Sequence, residues 1–151
     1  MTTLATKTLR SAPALSVAVC PSGSVFVGDE DKVTEYQNGA AVRFEWVTDL
    51  ATLAGGVYDG PALDMVCDSQ GYLVVATVVC LNVRRPDGNV VRFDFDSGMP
   101  MNNSQLLTLD SNKEGVWVGT PRGLLRWSRG QGTLVIFVKS CQCHHTLSSS
   151  R

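Results

Sequence analysis

Two cysteines and both histidines of the chain crowd one short stretch, Cys141-Gln142-Cys143-His144-His145. Thiolate and imidazole are the ligands that zinc and copper select. Side chains on adjacent residues do not all reach one tetrahedral ion, and no second ligand pair stands at zinc-finger spacing. The stretch reads as an unstructured tail. Asp94-Phe95-Asp96-Ser97-Gly98 has the Asp-x-Asp-x-Gly spacing that opens a calcium loop, but the third acidic position and the distal Glu of such loops are missing. Asp29-Glu30-Asp31 gathers three acids. Both acidic stretches are expected to be solvated loops.

Nucleophilic catalysis needs a base beside the nucleophile. With both histidines in the tail, none stands near a Ser or Cys on the rest of the chain. Cys67 reads as a small buried hydrophobe. Cys80 reads as a loop cysteine, the more reactive of the two, with only Arg84 and Arg85 nearby in sequence to lower its pKa. Gly55-Gly56 is a loop and not a phosphate-binding motif. No catalytic residue, cofactor or metal site is therefore assigned, and the chain is not expected to be an enzyme.

The chain has 151 residues, 44% apolar and 18% charged, with a formal net charge of -1. That suits a globular protein with a real core and gives no basic bias toward nucleic acid. No apolar run reaches the roughly 18 residues of a membrane-spanning helix. At the N-terminus, Lys7 and Arg10 precede an apolar stretch that Pro13 and Ser16 interrupt, which is not a secretory layout. The first acid is Asp29, as in organellar transit peptides, but a strand remnant or loose tail is the preferred reading of residues 1–13. The five cysteines (Cys20, Cys67, Cys80, Cys141, Cys143) are an odd number without framework spacing. Free thiols in a reducing compartment, the cytoplasm, are expected.

What positions any site is a repeat. Ala14-Leu15-Ser16-Val17-Ala18-Val19 aligns on Ala62-Leu63-Asp64-Met65-Val66-Cys67, and the match continues without a gap through Tyr36 over Arg84. A third copy follows, with Gly119 under Ala76, Leu124 under Leu81 and Trp127 under Arg84. The spacing is about 48 and then about 43 residues. Alternation at Val17/Val19 and Val25/Val27 gives strands one face each to bury. Asn38-Gly39 and Asp87-Gly88 are hairpin signals of the type I′ kind, which need positive φ at both positions. In the first copy, four strands are expected at Leu15–Val19, Ser24–Gly28, Lys32–Tyr36 and Ala40–Val47. Four antiparallel strands per repeat of this length is the arithmetic of a β-propeller blade. A β-sandwich shares the turn density but need not repeat its sequence.

One segment carries a more specific likeness. Gly98-Met99-Pro100-Met101-Asn102 leads into Leu107-Thr108-Leu109-Asp110 and Gly115; Trp117-Val118-Gly119-Thr120 and Gly123-Leu124-Leu125-Arg126-Trp127 follow. Ser97–Trp127 thus resembles the two-component-regulator propeller repeat, with its Trp-Val-Gly-Thr and Gly-Leu-x-Arg-aromatic signature. The earlier copies have Phe26-Val27-Gly28-Asp29 and Val74-Val75-Ala76-Thr77 at that place and fit NHL-type or WD-type blades as well. The resemblance implies a ligand-sensing or interaction propeller, for example a carbohydrate sensor, and carries no catalytic residue over.

The expected architecture is all-β: a partial propeller of about three four-stranded antiparallel blades. Its repeats lie at about 14–48, 62–97 and 105–138, after an N-terminal tail at 1–13 and before an unstructured Cys/His/Ser tail at 139–151. Gly115, Trp117, Gly119, Gly123 and Trp127 form the structural signature, with Trp117 packed between sheets and Gly28 and Gly119 allowing close approach. Loops at one end of the sheets vary in chemistry, and Lys32 and Arg122 are the expected polar contacts there. Three blades fall short of the four to eight of closed propellers. The pattern stops after Val138, so a truncated or fragmentary propeller is expected, with edges open to self-association. The functional expectation is a non-catalytic binding or scaffolding module for a protein or small ligand. The alternatives are a small-ligand sensor and, last, a propeller lactonase or lyase.

Overall fold

Short alternating runs between turn residues fold here into short strands. The computed structural model describes residues 13–30, 32–42, 60–94, 97, 99, 106–109, 114–121, 123–130 and 133–139. The first sheet holds β1 (Ser16–Val19), β2 (Val25–Gly28), β3 (Val33–Gln37) and β4 (Ala40–Val42). The second holds β5 (Ala62–Cys67), β6 (Leu73–Thr77), β7 (Leu81–Arg84) and β8 (Val90–Phe93). The third holds β9 (Leu106–Leu109), β10 (Gly115–Thr120), β11 (Gly123–Ser128) and β12 (Thr133–Lys139). Each sheet is an antiparallel meander in chain order, and among the described residues no strand of one repeat pairs into another's sheet. The described residues contain no helix. The protein is all-β, and its described residues form three propeller-type blades. The expected extension of the fourth strand to Val47, and residues 1–12 and 140–151 of the two tails, lie outside the described residues; Lys139, expected to begin the unstructured tail, ends β12.

Turn chemistry sets the strand ends. Asn38 and Gly39 have φ of 50° and 73°, the paired positive values of a type I′ turn. Asp87-Gly88 departs from the same expectation, since only Gly88 is left-handed, with φ 90°. The Gly88 N–H donates to the Arg85 carbonyl at 2.9 Å, and the Arg85 N–H donates to the Asn89 carbonyl at 2.8 Å. Pro86 presets φ at the second turn position, so the chain makes an ordinary β-turn and leaves the glycine to close it. The β1–β2 and β5–β6 hairpins repeat this design around Cys20–Ser24 and Asp68–Tyr72.

The three sheets stack face to face with the second in the middle. One core cluster joins Ala18, Phe26 and Val33 of the first sheet to Ala62, Met65, Cys67, Leu73 and Val75 of the second. The other joins Val74, Ala76, Leu81, Val83 and Phe93 to Val116, Val118, Leu125 and Trp127 of the third. Alternation along β6 sends Leu73 and Val75 one way and Val74 and Ala76 the other. Each fully buried leucine or valine contributes about 1.5–3 kcal/mol. Trp117 is not in either cluster. Parity along β10 turns Val116 and Val118 toward the second sheet and Trp117 away from it, half-buried, under the Arg126 guanidinium at 5.8 Å. The tryptophan packed between sheets is Trp127, 3% exposed, with its ring 5.8 Å from that of Tyr72.

Specific links tie the first and second sheets at both ends of their leading strands. At one end the Ser16 hydroxyl donates to the Ala62 carbonyl at 2.6 Å, and the Ala62 N–H donates to the Asp29 carbonyl at 3.0 Å. Gly28 permits this approach, because a Cβ there would stand 2.6 Å from Ser16 Oγ and 2.7 Å from Ala62 Cβ. At the other end Cys20 and Cys67 form a disulfide, with Cα atoms 5.2 Å apart. This corrects the expectation of free thiols. The two residues sit on facing sheets, which the spacing of cysteines along the chain does not reveal. Cys80 is corrected too: it stays a thiol but is wholly buried, its N–H donating to Thr77 Oγ1 at 3.1 Å and its sulfur accepting from Asn82 Nδ2 at 3.2 Å. Second and third sheets are linked by Arg129 Nη1, 2.8 Å from Asp68 Oδ2. The wholly buried Asp68 carboxylate also accepts backbone N–H groups of Gln70 and Tyr72 at 2.8 and 2.9 Å, so its charge is paired and hydrogen-bonded.

Candidate functional site

The stack has two gaps between sheets, and the repeat puts equivalent residues around both. Between the second and third sheets the gap is about 70 Å³, lined by Tyr72, Val83, Arg85, Val91, Phe93, Trp127 and Arg129. Trp127 and Tyr72 fill it. Between the first and second sheets the same place holds a cleft of about 650 Å³. There Glu35 stands where Val83 stands in the next copy, Arg84 where Trp127 stands, Ser24 where Tyr72 stands and Gln37 where Arg85 stands. At the places of Tyr72 and Trp127 the first gap carries Ser24 and Arg84, and among the described residues it is the wider of the two.

Three neighbours build the cleft's polar centre. Glu35 lies on β3 and is buried; Arg84 reaches across from the end of β7. Arg84 Nη2 stands 3.5 Å from Glu35 Oε2, with side chains 17% and 8% exposed. Gln37 Nε2 donates to the other carboxylate oxygen at 2.9 Å. The guanidinium also sits 5.4 Å from the centroid of the Phe26 ring, a cation–π arrangement. Removing one member of so dehydrated a pair leaves the other uncompensated, so the two hold each other in place. Around them the lining is Ser22, Ser24, Ser69 and Gln70, with Pro21, Gly71, Pro86 and Val42 at the turns and edge. One acid and one base cancel, so the cleft is polar without net charge. Beside Pro86, the exposed Asp87 carboxyl is held below its ordinary value of 3.8, first by the Asn89 backbone N–H and then by the Asn89 side chain.

The residues singled out from sequence lie elsewhere. Lys32 is half-buried in the β2–β3 loop, at the end of the sheet opposite the β1–β2 turn that lines the cleft, and its N–H donates to Asp29 Oδ1 at 2.8 Å. Asp29 is thus a buried turn-former, not part of a solvated acidic loop. Arg122 lies outside the described residues, as do Cys141, Cys143, His144 and His145. Gly115 opens β10 and Gly123 opens β11, where its carbonyl accepts the Thr120 hydroxyl at 2.9 Å; Gly119 is half-buried in β10. Asp94 and Ser97 hydrogen-bond each other at 2.8 Å, and Arg92 Nε lies 3.4 Å from Asp94, so this carboxylate closes a turn. Among the described residues no group of three His, Cys, Asp or Glu side chains converges as a metal site would. The sequence motifs did not point to Glu35 and Arg84. The signal was present, since both interrupt positions that are apolar or aromatic in the neighbouring copy.

The sequence matches no family model and no curated protein. Among solved structures, it is similar to the extracellular domain of a hybrid two-component system protein of B. thetaiotaomicron, at 17% identity and a TM-score of 0.59 over 83% of this chain. A second structure, of such a domain of a one-component system of that organism, gives 16% identity and 0.63 over 89%. A gluconolactonase of Xanthomonas campestris gives 17% identity and 0.51 over 70%. The chain spans 17% and 18% of the two extracellular domains and 34% of the lactonase. At these identities the likeness is one of fold, and the fold is that of a β-propeller in part.

Proposed function

We propose that this chain is a non-catalytic binding module of propeller type, and that its site is the cleft between the first and second sheets. The observation that carries this reading is the contrast between two equivalent gaps, one of about 650 Å³ and one of about 70 Å³. A structural role alone would fill the first as it fills the second. The cleft's chemistry, hydroxyls and amides around an internally neutralised Glu35–Arg84 pair, suits a polar uncharged ligand of saccharide size. The likeness of Ser97–Trp127 to regulator-type repeats supports the same sensing role. The Cys20–Cys67 bridge favours an oxidising compartment over the cytoplasm.

The test transplants the closed gap into the open one. Glu35→Val with Arg84→Trp places the residues of the second gap in the first. Wild-type protein is expected to show a saturable thermal shift or calorimetric signal with one or more neutral oligosaccharides, and the double variant to stay folded and lose it. If no saccharide, nucleotide or peptide in a broad panel binds, or if the variant binds as well as wild type, the cleft is not the site. Stoichiometric retention of a divalent ion together with lactone hydrolysis would move the reading to the enzyme alternative.

A further inference from the structure

The Cys20–Cys67 bridge borders the cleft. Cys20 leads straight into the Pro21–Ser24 turn, and Cys67 precedes Asp68, which opens the turn through Ser69 to Gly71; the two turns are opposite walls of the cleft. The walls are thus tied at their roots. Neither cysteine is open to bulk solvent, at 6% and 8% exposed, but Cys20 lines the cleft and Cys67 does not. Alternation from Ala18 puts the Cys20 side chain on the face of the first sheet that forms the cleft.

What stands beside each sulfur differs. The register of the first sheet, carried one pair beyond Val19↔Val25 and Val25↔Tyr36, sets Cys20 beside Ser24 and Ser24 beside Gln37. The screen between Cys20 and the polar centre is therefore a serine, at the place that Tyr72 fills in the next copy. On the second sheet Leu73 stands between Cys67 and Arg84, and it is wholly buried. A molecule in the cleft meets Cys20 past a hydroxymethyl group, and Cys67 only behind a leucine. The cleft, about 650 Å³, is of a size that holds drug-sized molecules, and its Glu35–Arg84 pair leaves no net charge to repel an anion.

We propose that Cys20 is a thiol-exchange site, and that small thiols, a tripeptide thiol such as glutathione among them, reach it through the cleft while the protein stays folded. The thiolate of the incoming molecule bonds to the Cys20 sulfur, the bridge breaks, and Cys67 leaves as a thiolate that takes a proton from water. A second thiolate attacks the sulfur of the bound molecule, releases Cys20 as a thiolate, and departs as the disulfide of the two small thiols. Two electrons have then passed from the small thiols to the bridge. Before that second step, return of Cys67 onto Cys20 expels the small thiol and restores the bridge. This site needs the cleft to be open to solutes and does not depend on which ligand the cleft binds.

The test treats the oxidised protein with reduced glutathione, quenches with acid, caps free thiols with a maleimide and maps the peptides. The first product is expected to carry glutathione on Cys20 and maleimide on Cys67. Its rate should rise in proportion to thiol concentration and ignore urea below the unfolding transition, because no opening of the sheets precedes attack. Ser24→Tyr, and separately Glu35→Val with Arg84→Trp, fill the cleft and should slow the reaction about tenfold or more. Lys32→Ala, at the opposite end of the first sheet, should leave the rate unchanged; circular dichroism checks that each variant is folded. A chain without this bridge, an adduct chiefly on Cys67, or no reaction below the unfolding transition overturns the inference. So does a rate that levels off with thiol and climbs with urea, or folded filled-cleft variants that react as fast as wild type. No saccharide enters these readouts, so a failed ligand panel and a failure here are told apart.

Discussion

Breaking the Cys20–Cys67 bridge is the sharpest perturbation available. It joins residues 47 apart in sequence and links two sheets that share no strand pairing. In the loop-closure account a bridge spanning that length removes unfolded-state entropy worth about 4 kcal/mol at 25 °C. Against a total of about 5–15 kcal/mol, that is a large share. At about 2–4 °C per kcal/mol for a chain of this size, the melting midpoint should fall by roughly 8–16 °C in reductant. The folded contacts of both sulfur atoms remain, so the native spectrum before melting should hardly change. The assay is thermal and urea unfolding with and without dithiothreitol, beside a non-reduced peptide map that identifies the Cys20–Cys67 pair. Double substitution of Cys20 and Cys67 by Ala should reproduce the reduced midpoint and abolish its response to reductant. If a chain proven to carry the bridge melts at the same temperature in reductant, then the sheets do not depend on this link and the reasoning fails.

Other outcomes follow from single contacts. Trp127→Ala should cost about 3–5 kcal/mol, as for buried aromatics, and Trp117→Ala about 1–2 kcal/mol for half a ring's burial. Urea titrations that rank the two in the opposite order would show that the wrong tryptophan has been placed in the core. Gly28→Ala should destabilise by about 1–3 kcal/mol through crowding against Ser16 and Ala62, and Ser16→Ala in addition should recover part of it; strictly additive losses would deny the contact. Asp87 should titrate below 3.8 by NMR. Because its folded value is depressed, the small stabilisation it gives is present above the unfolded value and is lost as pH falls through the folded one. Asn89→Ala should move the midpoint part of the way back up, and an unchanged midpoint would assign the shift to another cause.

The three sheets were legible because the repeat and the turn residues mark the same strand ends, even where the turn type differs, as at Asp87-Gly88. Asn38-Gly39 is the clearest case. The distinction between Trp117 and Trp127 was not legible. The third sheet carries apolar residues on both faces, Val116, Val118 and Trp127 on one and Trp117 and Leu124 on the other, so alternation along β10 and β11 tells which residues share a face but not which face is covered. Ten positions separate the two tryptophans, and their strands pair so that Trp117 meets Arg126 and Trp127 meets Val116. Only the position of the second sheet decides between them. The disulfide was hidden for a related reason: Cys20 and Cys67 do not occupy equivalent repeat positions but positions that face each other across sheets. The cleft was hidden because it consists of what is missing. Glu35 and Ser24 are unremarkable in their own strand and turn, and they become informative only when laid over Val83 and Tyr72.

The middle sheet's double coverage has a consequence for how the molecule opens. All five residues of β6 are buried, and all three of β4 are exposed. Amide protons on β4 need only fraying of a sheet margin to reach solvent, whereas those on β6 are released when both flanking sheets have come away. Deuterium uptake should therefore spread inward from the margins, with Leu73–Thr77 as the last segment to take up label.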